Sequence, residues 1–461
     1  MRISARSRRR VAAALTTIAT VATSMLVASP AEARSRVSPG SFTGYAFDQC
    51  VTQPQDVMDV WLTSSPYWAV GIYIAGDSRY CGDDKQTNLT PEWVATQLSY
   101  GWRLIPITVG PQASCATRYK DKVRIKADPT DDYAAAREQA RAEAAETVRR
   151  AQLLGIPERT TLWYDIEHFD IGKIRCRDSA LAFLSAWTTK LHELNYVSGV
   201  YSSASSGIKM LDEARRFSPG RYTMPDQLWV AEWVDAGGYR QPPTPEPPSL
   251  YSAYFDASAW EGKVMRQYRG GHDETYGGVT INIDTNYLHL GRGSVAPKEP
   301  HHCGVQIDFA RYRRQWTGRE GEQVTALQCL LRQKRLYHGR LHGIFTPRTE
   351  RAVERFEASR GLVETGRMSP NRWGRLLTMG PTPLVKIGSA SHAVRRVQRA
   401  LNAVGDGGLE VTGVFDPATT AAVRAYQKAR GLPANGVVAL DTWTELTNGR
   451  IGRTKAVAGS S

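Results

Sequence analysis

The chain has 461 residues, 41% hydrophobic and 23% charged, a balance that excludes wholesale disorder and a fibrous repeat and predicts about two to four domains. Its formal charge of +14 is uneven: residues 1–33 carry five Arg against one acid, residues 34–297 carry 28 Lys and Arg against 31 Asp and Glu, and residues 298–461 carry 26 against 13. The basicity belongs to the C-terminal third, and the near-neutral middle needs its own explanation.

Residues 1–10 read MRISARSRRR, an apolar run from Val11 to Ala28 follows, and Ala31-Glu32-Ala33 closes the segment. A cationic start, a short apolar run and an A-x-A site predict a secretory signal peptide over 1–33. The run is near the minimum spanning length of ~17–20 residues. Its Ala and Thr content and the cleavage site after it favour removal over anchoring, so the mature chain is expected to be secreted, outside the membrane and monomeric. Arg8-Arg9 leaves general and twin-arginine export both open. The six cysteines, Cys50, Cys81, Cys115, Cys176, Cys303 and Cys329, are even in number and contain no C-x-x-C pair. In an exported chain that favours disulfides over metal sites. Cys303 with Cys329 is the natural C-terminal pair; the other four pair among themselves, sequential pairing being one of the open connectivities.

Between residues 40 and 295, apolar runs alternate with helical stretches. Candidate strands are 43–48, 68–75, 102–109, 160–168, 197–202, 227–234, 265–269 and 280–288, and the clearest helix runs from Asp131 to Leu154. Eight strands with mostly helical connections predict an α/β fold, a (β/α)8-type barrel, with irregular late connections where 235–264 turns rich in Pro and Gly. Asp48, Asp165, Glu167, Glu232 and Asp284 fall at or near the C-terminal ends of these strands, the rim that builds active sites in such barrels. One such acid is commonly a helix cap, but five on one rim repel and raise each other's pKa. Asp165 and Glu167, as i and i+2 of a strand, face one side with α-carbons ~6.5–7 Å apart. One stays protonated while the other is anionic, the division of labour that glycoside cleavage needs. Tyr45, Tyr164, Tyr201, Trp229, Trp233 and Tyr268 are candidate sugar-stacking faces, half of them expected in the core.

These residues resemble the family 25 glycoside hydrolases, lysozyme-like muramidases: Asp48 on the first strand, Asp165-Ile166-Glu167 on a middle strand, Trp229-Val230-Ala231, Gln267-Tyr268, and Asp284 with Asn286 on the last. The closer resemblance, over residues 42–292, is to a glycoside-hydrolase-like domain related to them. It implies Glu167 as proton donor, Asp165 as the group that orients the substrate N-acetyl or stabilises the cation, and Asp48 and Asp284 as positioning and polarising acids. Tyr45, Tyr201, Trp229, Gln267, Tyr268 and Asn286 become candidate substrate contacts. Glu232 departs from the muramidase pattern and is assigned to the substrate pocket. No H-E-x-x-H, G-x-S-x-G, Walker or dinucleotide-binding pattern is present, so neither a metal nor a cofactor is expected.

The last third matches itself at an offset of 70 residues. Gly343-Ile344-Phe345-Thr346-Pro347 falls on Gly413-Val414-Phe415-Asp416-Pro417, and Gln328, Phe356, Trp373 and Leu376 fall on Gln398, Tyr426, Trp443 and Leu446. A gapless register of this length is duplication. Each copy predicts three short helices with an apolar stripe, a Gly-hydrophobic-Phe turn and Pro at the start of the next helix. Gln328 and Gln398, on the apolar side, are expected as buried amides bonded to the turn backbone. The pattern resembles the bacterial peptidoglycan-binding repeat. The first copy departs from it at Glu357, where Gln is usual, and has Arg372 where the second has Thr442. The organisation expected is a barrel over 40–295, a linker over 296–317, repeats over 318–380 and 385–449, and a tail over 450–461. The charge of the last third fits peptidoglycan and its anionic wall polymers, and an exported chain rarely meets nucleic acid. The function expected is a wall-bound glycoside hydrolase cleaving a β-glycosidic bond in peptidoglycan; the alternative is a non-catalytic wall- or glycan-binding protein.

Overall fold

The computed structural model of the protein describes residues 37–118, 123–233, 247–250 and 252–453. The expected signal peptide, 1–33, lies outside them. Among the described residues eight strands close a barrel in chain order: β1 (Phe42–Asp48), β2 (Tyr67–Ala75), β3 (Arg103–Thr108), β4 (Thr161–Asp165), β5 (Val197–Ser203), β6 (Gln227–Ala231), β7 (Lys263–Tyr276) and β8 (Val279–Leu290). Helices Gln55–Ser64, Pro91–Tyr100, Ala134–Leu153, Ile174–Glu193 and Lys209–Phe217 form the crossovers. Ala136, Ala140 and Ala144 make a buried stripe of small side chains one helical turn apart, which lets helix 134–153 lie close against its neighbours.

Of the late connection expected to be irregular, residues 235–246 and 251 lie outside the described residues, and the described part carries a single 3-10 turn, Ala257–Trp260. β8 departs from the parallel pattern expected of such a barrel: it runs antiparallel to both β7 and β1. The cause is local. Gly277 and Gly278 join Tyr276 to Val279 with φ of 57° and 82°, the two-residue left-handed turn that folds strands into a hairpin. A parallel partner would need a crossover of about a dozen residues or more. Side chains alternate across each strand. Phe42, Ala46, Trp163, Trp229, Leu288 and Leu290 fill the barrel interior, whereas Tyr45, Phe47 and Tyr164 face the helical layer.

The disulfides are Cys50–Cys81, Cys115–Cys176 and Cys303–Cys329, the sequential pairing. The first two tie loops on the barrel rim to one another and to helix 174–193.

The repeats are helices Glu322–Gln333, Pro347–Ser359 and Pro370–Leu377, then His392–Val404, Pro417–Arg430 and Leu440–Thr447. Gln328 is buried and donates to the Ile344 carbonyl (2.9 Å) while accepting from the Gly343 N–H (3.2 Å). Gln398 repeats this on Val414 (3.0 Å) and Gly413 (2.9 Å), so each amide closes its turn. The 70-residue register begins earlier than residue 318. Trp373 donates its indole N–H to the Arg313 carbonyl, and Trp443 does the same to Pro383. The segment expected as a linker is packed: Ile307 and Tyr312 are buried, and Asp308 and Glu299 pair with Arg399 of the second repeat.

The second repeat docks on the end of the barrel opposite the rim. Gly388, at φ 88°, lies so close to β1 that a Cβ there would sit 2.7 Å from the Thr43 carbonyl oxygen. Lys386 beside it is fully buried, donates to the Leu62 carbonyl (2.7 Å), and places its ammonium 4.6 Å from the Trp68 ring and 5.2 Å from the Trp102 ring. Burial pushes this ammonium well below the usual lysine range. A lysine depressed in this way favours the docked state at high pH and loosens it as pH falls through its folded value. Lys386→Met, which keeps the volume and removes the buried charge, is expected to leave the radius of gyration in small-angle scattering unchanged. Lys386→Glu is expected to undock the repeat and enlarge that radius; an unchanged radius would contradict this account of the joint.

Candidate active site

Strand alternation carries Asp48, Asp165 and Asp284 to the inner face of the rim, where with Glu167 they line a cleft of about 240 Å³. Asp284 sits in the first half of its strand. It reaches the rim that Asp48 and Asp165 reach from strand C-termini only because β8 runs the other way. There it lies directly opposite Asp48 in the antiparallel register, the placement in which like charges destabilise each other. Burial, then the Asp284 charge, pushes the Asp48 carboxyl up to about 8. Burial, then the charges of Glu167 and Asp48, pushes Asp165 well above the usual carboxylate range. Asp284 is raised chiefly by burial, against the Gly271 N–H that donates to it (2.5 Å).

Neutral donors hold these acids. Asn286 donates to Asp48 Oδ1 (2.6 Å), and its own oxygen accepts the Trp229 indole N–H (2.7 Å). Gln267 donates to both Asp48 (3.3 Å) and Asp284 (3.2 Å) while accepting from Tyr201 Oη (2.9 Å) and the Trp233 indole (3.1 Å). The two aromatic donors fix which way this amide faces. Tyr73 donates to the other Asp48 oxygen (3.3 Å). Asp165 Oδ1 is buried with no hydrogen-bond partner among the described residues. Such a carboxyl is ready for a ligand atom.

β4 ends at Asp165, so Glu167 stands on the loop just past the strand. Gln112 spans the pair, donating to the Asp165 carbonyl (2.9 Å) and accepting from the Glu167 N–H (2.9 Å). The guanidinium of Arg118, itself mostly exposed, lies 3.4 Å from the Glu167 carboxylate. Gln112, Tyr73 and Arg118 escaped the sequence reading. Tyr73 was legible, since it shares parity with the inward-facing Ala69; Gln112 and Arg118 lie on a loop, where no periodicity marks them. Among the described residues no group of His, Cys, Asp and Glu side chains is arranged to hold a metal ion.

A carboxyl raised on folding binds a proton that the unfolded chain has already lost. Stability contributed by Asp48 is therefore full below about pH 4, the unfolded carboxyl value, and lost as pH rises toward 8. Asp48→Asn, which mimics the neutral form, is expected to flatten the decline in melting temperature between pH 5 and 8. A slope equal to that of the unaltered protein would show that Asp48 does not hold this proton.

The model of the Rv2525c-like, glycoside hydrolase-like domain matches residues 59–288. The barrel belongs to the Rv2525c-like family. The model of a peptidoglycan binding domain matches residues 320–376 and 391–446, so the Rv2525c-like barrel is followed by two copies of that repeat. No curated protein sequence matches the chain. Among solved structures, an uncharacterized B. stearothermophilus protein is 16% identical, covering 54% of this chain and 96% of its own, with a TM-score of 0.34. The Mycobacterium tuberculosis Tat-secreted protein Rv2525c, in complex with L-tartrate, is 12% identical, covering 54% and 97%, at 0.34. The modular autolysin LytC from Streptococcus pneumoniae is 10% identical, covering 53% and 46%, at 0.30. The protein is thus glycoside hydrolase-like and cell-wall-associated through its repeats, and no described helix is long and apolar enough to cross a membrane.

In the Rv2525c-like barrel three of the expected contacts change place. Tyr45 and Tyr268 are buried in the helical layer, on the outer face of β1 and β7, and do not reach the cleft. Glu232 follows the inward Trp229 and Ala231 on the opposite parity, so it leaves the acid cluster, pairs with Arg266 (2.8 Å) and borders a neighbouring cavity. Tyr201, Trp229 and Gln267 line the cleft, and Asn286 stands behind Asp48.

Proposed function

We propose that the barrel is a muramidase-like hydrolase that cleaves a β-glycosidic bond in peptidoglycan, with the repeats holding it on the wall. The observation that carries this reading is the four-acid cleft, in which burial and its neighbours' charges hold the Asp165 carboxyl well above the usual carboxylate range. Glycoside cleavage needs protonated and ionised carboxyls side by side. Glu167, the member on the loop at the mouth, is assigned as proton donor to the glycosidic oxygen. Asp165 orients the substrate N-acetyl group through its unpartnered oxygen, and Asp48 and Asp284 position and polarise the substrate. Tyr201, Trp229 and Gln267 form the floor. Attachment through the repeats raises the local concentration of wall glycan without altering the chemistry.

The test is release of new reducing ends from purified cell walls by the full chain, measured with its retention on the same walls. Retention with release supports the hydrolase. Retention without release identifies a non-catalytic glycan-binding protein, a reading favoured by the Arg118 contact to Glu167.

A further inference from the structure

Glu167 is a partition between two cavities. On its far side from the buried acids lies a second space of about 350 Å³, within the range of about 300–1,000 Å³ that small ligands fill. The two share Glu167, Tyr201, Trp233 and Arg118 as a common wall. Their other linings differ in kind. Asp48, Asp165 and Asp284 line the first only, whereas Ser203, Ser205, Glu232 and Tyr254 line the second only.

The second cavity has its own support. The Glu232–Arg266 pair (2.8 Å) has both side chains almost wholly buried, at 4% and 2% exposure. Arg266 also donates to the Ser249 carbonyl (2.5 Å), which ties the described part of the loop before β7 to the strand. Trp233 is 49% exposed, yet its indole N–H is fixed on Gln267, so its ring is held at the boundary with surface open to a ligand. Tyr254, 37% exposed, stands on the same cavity. A fixed aromatic with hydroxyls around it suits a sugar ring, which offers an apolar face and a polar edge.

We propose that this second cavity binds the sugar on the leaving side of the scissile bond, so that a β-linked amino-sugar oligosaccharide lies across Glu167 with one ring in each cavity. The assignment rests on Glu167 as proton donor. The bond between the anomeric carbon of the ring in the first cavity and the bridging oxygen breaks. Its electron pair stays on that oxygen, which takes the Glu167 proton and leaves with the ring in the second cavity. Water adds its hydroxyl to the anomeric carbon and its proton restores Glu167. Charge that develops on the carbon is thereby placed among the acids, and the neutral leaving sugar among hydroxyls and aromatics.

The test uses calorimetry on the full chain carrying Glu167→Gln, with N-acetylglucosamine and its β-1,4-linked dimer as probes. The dimer is expected to bind about tenfold or more tighter than the monomer, the gain one further occupied site brings. Ser205→Trp in the same background, an exposed position whose new side chain fills the second cavity, is expected to cut that gain below about threefold. Tyr254→Ala, the milder change, is expected to weaken dimer binding about threefold to tenfold. The repeats are identical in all these proteins, so the differences report the cavity. A dimer gain that survives Ser205→Trp, or no gain at all, would overturn the assignment. Failure of the hydrolase reading appears separately, as absence of reducing ends with the native chain, and leaves the length dependence measurable.

Discussion

Glu167→Gln is expected to lower the initial rate of reducing-end release from walls by about 10²–10⁴-fold, the usual contribution of a positioned general acid. The amide has the same size and cannot give up a proton. The local backbone is held through the Glu167 N–H on Gln112, a contact that the substitution leaves in place. Arg118 loses its ion pair with Glu167, but its side chain is 67% exposed, and such surface pairs contribute about 0–1 kcal/mol. Stability should therefore be nearly unchanged. Wall retention should also persist, because the repeats lie at the other end of the barrel. Loss of rate with full retention would place the defect in chemistry rather than folding or anchoring. A rate within about threefold of that of the unaltered protein would remove Glu167 from the acid role.

The second large effect concerns the first repeat. Its two departures from the repeat pattern are one exchange. Glu357 is fully buried, accepts from the Thr365 N–H (2.6 Å), the Thr365 hydroxyl (2.8 Å) and the Gly366 N–H (2.8 Å), and pairs with Arg372. In the second repeat Gln427 does the same work with neutral groups, accepting from the Gly436 N–H (2.9 Å) and donating to the Val437 carbonyl (2.8 Å) and Thr442 Oγ1 (3.0 Å). Removing one member of a buried pair strands the other charge, at about 3–5 kcal/mol, whereas replacing both with matched neutral groups is close to neutral. Glu357→Ala is thus expected to destabilise the repeat by about 3–5 kcal/mol, with Arg372→Thr costing less, about 1–3 kcal/mol, because three donors still serve the carboxylate. The double change Glu357→Gln with Arg372→Thr copies the second repeat and is expected within about 1 kcal/mol of the original. Denaturant melts of these proteins, together with Glu357→Gln alone to close the cycle with Arg372→Thr, give the coupling energy; additive losses would mean that the two residues act independently.

The repeats were the most legible part of the chain. Duplication exposes the same apolar positions twice at one offset, and local rules then set the helices, the Pro starts and the Gly turns. Even the bonding of Gln328 and Gln398 to the turn backbone follows from two amides placed on an apolar stripe. What that reading lacked was the partnership of Glu357 with Arg372. Fifteen residues separate them, and only the packed turn brings them together. The barrel strands were legible for a similar reason, since runs such as YWAVGIYIA have few alternatives. The hairpin at Gly277-Gly278 carried a plain local signal that the expectation of parallel strands overrode.

Which acids exist, and that Asp48, Asp165, Glu167 and Glu232 stand at or just past the ends of apolar runs, is a property of the sequence alone, because hydrophobic runs and polar breaks follow from short-range chemistry. Which of them meet was settled by closure of the barrel. Parity and strand direction put Asp284 opposite Asp48, sent Glu232 to Arg266, and turned Tyr45 and Tyr268 into the helical layer. A one-residue change of register reverses the side on which a strand residue faces, and the pair that closes the sheet, β1 with β8, joins residues as far apart in the chain as Asp48 and Asp284. The sequence therefore determined the inventory of the site, and the long-range pairing that closes the sheet decided its membership.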